Sequence, residues 1–155
     1  MLQAYYFDRD DIALPNISKW FGKQSEEERE HAITFMKYQN TRGGRVVLEN
    51  VQRPEKDEWG GPLEAFQAAL ALEKANNMSL LNLHSLAARH NDSQVGAFPG
   101  HSQRIGWALQ MCDFLEGTFL REQILSMEQI GKFVAQLKRV GKGLGEFIFD
   151  KEIKP

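Results

Sequence analysis

Residues 17–38 read ISKWFGKQSEEEREHAITFMKY, and their polar and apolar residues keep a helical rhythm. Ile17, Phe21, Gln24, Glu28, His31, Phe35 and Tyr38 are spaced alternately by four and three positions. That spacing lines them along one face of one helix, because about 3.6 residues complete a turn. Pro15 stands where a first helical turn tolerates it, and the Gly43-Gly44 pair marks the stop. The predicted helix covers 12–40.

Two more stretches repeat the rhythm. Leu63, Phe66, Leu70, Glu73, Asn77, Leu80 and His84 predict a helix over 62–91, and Glu116, Leu120, Gln123, Met127, Ile130, Val134 and Leu137 predict one over 112–140. Glycines at 141, 143 and 145 end the last of these, and an apolar segment at 146–151 predicts a short closing helix. The chain opens with an apolar stub at 2–7 that runs into the charged turn Asp8-Arg9-Asp10-Asp11. Residues 45–62 begin with the β-prone Val46-Val47-Leu48 and carry the breakers Pro54, Gly60, Gly61 and Pro62. A connection of that length suits a crossover between parallel helices better than a tight hairpin. Three long amphipathic helices want a fourth, and the stub is what remains of one. The expected fold is therefore all-α, a four-helix bundle with a long crossover, a short C-terminal helix and its first helix largely absent.

A chain of 155 residues predicts one domain over 1–155, large enough for a self-sufficient core. A formal charge of −2 gives no reason to expect nucleic acid or an anionic membrane surface as a partner. No apolar run approaches the roughly 20 residues that cross a bilayer. The one cysteine, Cys112, excludes an internal disulfide and fits a reducing compartment such as the cytoplasm. The opening residues lack the basic, apolar and small-residue pattern of a secretory signal.

Each of the three seams is apolar except at one level. There the first helix offers Glu28 and His31, the second Glu73 and the third Gln123. A buried carboxylate is costly unless it is paired or binds a cation. Glu28 and His31, three positions apart, project from one side of their helix. Carboxylates, an amide oxygen and a single imidazole suit iron better than a structural zinc, which prefers sulfur and nitrogen. Each residue has a plainer reading when taken alone. A Glu-x-x-His on a helix is usually a solvated face, Glu73 can reach the surface, and Gln123 is an ordinary polar seam residue. Their coincidence at one level of matched heptads favours a metal site.

The motifs Tyr6-Phe7-Asp8-Arg9-Asp10-Asp11, Glu27-Glu28-Arg29-Glu30-His31-Ala32, the Arg-Gly-Gly-Arg within 39–45, Asp57-Glu58-Trp59-Gly60, Leu72-Glu73-Lys74 and the segment 147–152 together resemble animal ferritin heavy chains. The run 139–146 is most similar to invertebrate members. The Glu-x-x-His pair is a known device of ferritin-like di-iron proteins, so its presence is a match and not a deduction. The resemblance implies a ferroxidase, an Fe(II):oxygen oxidoreductase, whose di-iron centre uses Glu28, His31, Glu73 and Gln123, with Glu28 bridging. It implies that Glu27 helps pass iron inward, and that Asp113 and Glu116, with His84 nearby, line an acidic three-fold channel. Fe(II) and dioxygen would be the reactants, a ferric mineral the product, and other ferritin subunits, identical or different, the partners in a hollow octahedral shell. Ser126, three positions after Gln123, takes the place of the second histidine that a bacterioferritin or a di-iron oxygenase shows. A light chain would lack Glu28 or His31.

Two departures from the family pattern stand out. The first helix, with one more glutamate ligand and a tyrosine, has no counterpart before residue 1. Residues 95–110 also interrupt what should be a short turn. Valine codons begin GT and one glutamine codon is CAG, so a retained intron bounded by GT and AG would read from Val95 to Gln110. The segment is expected to be such an intron or an inserted loop. A ligand set short of one glutamate leaves a rival reading open, a non-catalytic structural or regulatory subunit or an inert truncated product.

Overall fold

The computed structural model describes residues 2–51, 58–90 and 111–154. Among them are six α-helices and no strand: α1 Leu2–Asp8, α2 Pro15–Thr41, α3 Pro62–Arg89, α4 Met111–Leu115, α5 Arg121–Val140 and α6 Leu144–Glu152, with a π-helical turn Glu116–Leu120 between α4 and α5. The fold is all-α, as the spacing predicts. The 95–110 segment lies outside the described residues.

The helix ends differ slightly from the sequence expectation. α2 begins at Pro15 and not at 12, because the chain first makes a turn in which Ala13 takes the left-handed φ of +52°. α3 ends at Arg89, two residues early. The predicted continuous helix over 112–140 is instead broken by the π-helical turn. Gly117 and Thr118, both weak helix formers, sit inside that turn.

The chain forms two compact units, Met1–Phe66 with Phe133–Pro155, and Gln67–Lys132. In the first unit α1 packs on α2, and α6 touches α2 as well. Its core is aromatic. Phe66 is fully buried and meets Trp20 at 5.1 Å, Phe21 at 5.0 Å, Phe133 at 5.4 Å and Phe149 at 5.8 Å between ring centres. Most of these contacts are edge-on or tilted, which sets the positive ring edge against the negative face. Phe7 of α1 stacks on Phe21 at 5.8 Å and so ties the stub to the same cluster.

Local chemistry fixes the ends of α2. At its start Leu14 has no side chain able to cap. Asp150 of α6 supplies the cap instead, its Oδ1 accepting the backbone N–H groups of Asn16 and Ile17, each at 2.9 Å. At its end the Arg42 N–H donates to the Tyr38 carbonyl at 3.0 Å and the Gly44 N–H to that of Gln39 at 2.9 Å. Between them Gly43 adopts a φ of +80°, a conformation glycine takes without strain. In the turn after α1 the Arg9 guanidinium grips both oxygens of Asp11, at 2.9 and 2.6 Å, and reaches Glu58 at 2.8 Å.

The second unit has a smaller core in which Leu80, Ala87, Cys112, Phe114, Leu115, Phe119 and Ile130 are buried. The Cys112 thiol donates to the His84 carbonyl at 3.7 Å, holding α4 against α3. No described helix is long and apolar enough to cross a membrane.

Candidate metal centre

The candidate ligands occur in both units, and each unit brings two of them together. In the first, the step from Glu28 to His31 on α2 leaves Glu28 Oε2 3.6 Å from His31 Nδ1. The seam reading expects Glu28 to be buried, and here it is corrected: its side chain is 51% exposed against 24% for His31. A carboxylate gains more from water than from a half-apolar setting. Glu27, half-buried, accepts a hydrogen bond from Gln24 Nε2 at 2.7 Å.

In the second unit α3 and α5 hold the other pair. Glu73 is half-buried and Gln123 is 5% exposed. Gln123 Nε2 donates to Glu73 Oε2 at 2.6 Å. Gln123 Oε1 is buried and has no hydrogen-bond partner among the described residues. The amide cannot gain by turning over, since that would set its oxygen against the carboxylate. A buried carbonyl oxygen without a donor carries a desolvation penalty of about 1–3 kcal/mol. Oxygen donors of these two kinds, a carboxylate and a neutral amide carbonyl, are ones a hard or borderline cation accepts.

Asp113 and Glu116 are exposed on α4 and the π-helical turn. His84 of α3, which the sequence reading sets only near them, meets Glu116 directly, with its Nε2 2.6 Å from Oε1. Sequence spacing assigns Glu116 to the seam of Gln123, yet Glu116 is 59% exposed. The π-helical turn lies between the two and changes the phase of the helix, which turns Glu116 off that seam. Within neither unit do three or more His, Cys, Asp or Glu side chains among the described residues gather as a metal cage.

Two features lay outside the sequence reading. The π-helical turn had a signal, the Gly117-Thr118 pair. The capping role of Asp150 had none, because nothing in Phe149-Asp150-Lys151 distinguishes a cap from a surface acid.

The sequence compares closely with known proteins. A family model for the ferritin-like domain matches residues 1–99, ending inside the 95–110 segment. Over 149 residues the chain is 54% identical to soma ferritin of Lymnaea stagnalis, an alignment covering 96% of this chain and 76% of that one. It is 50% identical to the ferritin middle subunit of Aquarana catesbeiana, over 94% of this chain and 76% of the relative. Against the ferritin heavy chain of Echinococcus granulosus the identity is 45%, over 98% and 79%. The chain belongs to the ferritin family, and its helices are those of a ferritin-like fold.

Proposed function

We infer that this chain is an iron-storage subunit of the heavy-chain, ferroxidase type. It takes up Fe(II), oxidises it with dioxygen and delivers ferric ions to a mineral held inside a shell of ferritin subunits. The observation that carries the reading is the Glu73–Gln123 pair, in which a half-buried carboxylate is held by a buried amide whose own oxygen has no hydrogen-bond partner among the described residues. Family membership with relatives at 45–54% identity supplies the context.

The residues assigned to Fe(II) are Glu28, His31, Glu73 and Gln123. Glu73 and Glu28 offset the metal's charge, His31 offers an imidazole nitrogen, and Gln123 contributes a neutral oxygen. Gln123 also orients Glu73 through its N–H. Fe(II) is the substrate: each ion gives up one electron, and dioxygen takes the electrons up with protons from water. Glu27, turned toward Gln24, is a secondary carboxylate for iron moving onward. Asp113 and Glu116 are assigned to an acidic approach that concentrates cations, with His84 steadying Glu116 at 2.6 Å. The reading treats 1–155 as one ferritin-like domain acting in the cytoplasm, with identical or related subunits as partners.

A second reading, a non-catalytic structural or regulatory subunit, is favoured by one observation. Neither unit gathers three His, Cys, Asp or Glu side chains among the described residues. Oxygen consumption on addition of Fe(II) to the purified chain separates the two. Uptake in proportion to iron added, above the rate of buffer alone, supports the ferroxidase. Iron binding with no oxygen uptake above the buffer rate assigns the chain to the second reading.

A further inference from the structure

We propose that α6 and the first turn of α2 form a two-ended strap, locked by the Asp150 carboxylate, whose ends open and close as one unit. Asp150 is 1% exposed. Its Oδ1 accepts the Asn16 and Ile17 amides, and Asn16 Nδ2 donates to the Asp150 carbonyl oxygen at 2.9 Å. Three hydrogen bonds thus join residues more than 130 positions apart. The negative charge also faces the positive end of the α2 dipole. Leu14 at the N-cap position makes no side-chain hydrogen bond, so α2 has no local substitute when Asp150 leaves.

Three features make the strap able to open. Asp150 Oδ2 is buried without a hydrogen-bond partner among the described residues, and Lys151 Nζ stands 4.0 Å from it. Release therefore hydrates an oxygen that the closed state leaves unsatisfied, which narrows the gap between closed and open. Much of α6 lies outside the core of its own chain, with Leu144 72%, Phe147 52% and Ile148 48% exposed, while Phe149 anchors it in the aromatic cluster. Gly141 and Gly143, at φ of +70° and +73°, supply a hinge where α5 gives way to α6. Opening uncaps α2 and uncovers the rings of Phe66 and Phe133 on which Phe149 rests.

Amide hydrogen exchange of the full chain, in the regime where rates report the opening equilibrium, tests the coupling. In Asp150→Asn, peptides covering 15–20 and 144–153 should both exchange about tenfold or more faster, by a common factor. Phe149→Ala acts only at the α6 anchor and should deprotect 15–20 as well. Asn16→Ala removes a single hydrogen bond and should quicken both segments by a smaller common factor, and it decides the matter if the other two variants do not fold. Faster exchange confined to one segment, or no acceleration in any folded variant, overturns the proposal.

Discussion

The amide of Gln123 is the most informative single group in the molecule. One end is spent on Glu73 at 2.6 Å and the other is buried without a donor among the described residues. Evolution toward stability alone would have replaced such a group with an apolar side chain. Glu73→Gln keeps an acceptor for Gln123 but removes the charge. Its thermal stability, read by calorimetry, should change by no more than about 1 kcal/mol, while Fe(II) affinity falls at least about tenfold. A large loss of both would make the pair structural. Ala13 offers a second test at this scale. Its φ of +52° lies where an L side chain is strained, and Ala13→Gly should raise stability by roughly 0.5–1 kcal/mol after glycine's own entropy is counted. In the sequence the candidate site stands out only as the level at which Glu28, His31, Glu73 and Gln123 coincide, on seams that also carry Gln24, Asn77, His84 and Glu116. The exposure of Glu28 was not legible, because a heptad position states which side of a helix a residue occupies and not whether anything covers it.

At the scale of elements, the three long helices were legible because spacings of four and three are hard to produce any other way. The break in the last of them was not. Glu116, Leu120 and Gln123 satisfy the same spacing whether the backbone between them is α or π, and only hydrogen bonding distinguishes the two. Contacts between distant elements were also hidden, Asp150 on α2 above all. The helices meet at Phe66, and Phe66→Ala should destabilise the fold by about 3–5 kcal/mol, measurable by urea unfolding. Replacing Gly145 should also be disruptive, because an added Cβ would run into the Val140 carbonyl at the turn into α6. The Arg9 clasp makes a prediction in pH. The Asp11 carboxyl is held below its ordinary value, chiefly by its hydrogen bond from Arg9 and further by that guanidinium's charge. The clasp's contribution is therefore complete above the ordinary carboxylate range and is lost as pH falls through the lowered Asp11 value. Carboxyl NMR should show Asp11 titrating below the ordinary aspartate range, and Arg9→Gln should return it to that range. Because the clasp is exposed, its effect should fade in salt.

At the scale of the whole molecule, the proposal that joins the ferritin relationship to the two side-chain pairs is that the chain binds Fe(II) before it does anything else with it. Anaerobic equilibrium titration with Fe(II), comparing the unaltered chain with Glu73→Gln, tests that claim most directly. The account predicts saturable binding by the unaltered chain and an affinity at least about tenfold weaker in the variant, with both proteins equally helical by circular dichroism. Equal affinities in the two folded proteins, or no saturable binding by the unaltered chain, would contradict it.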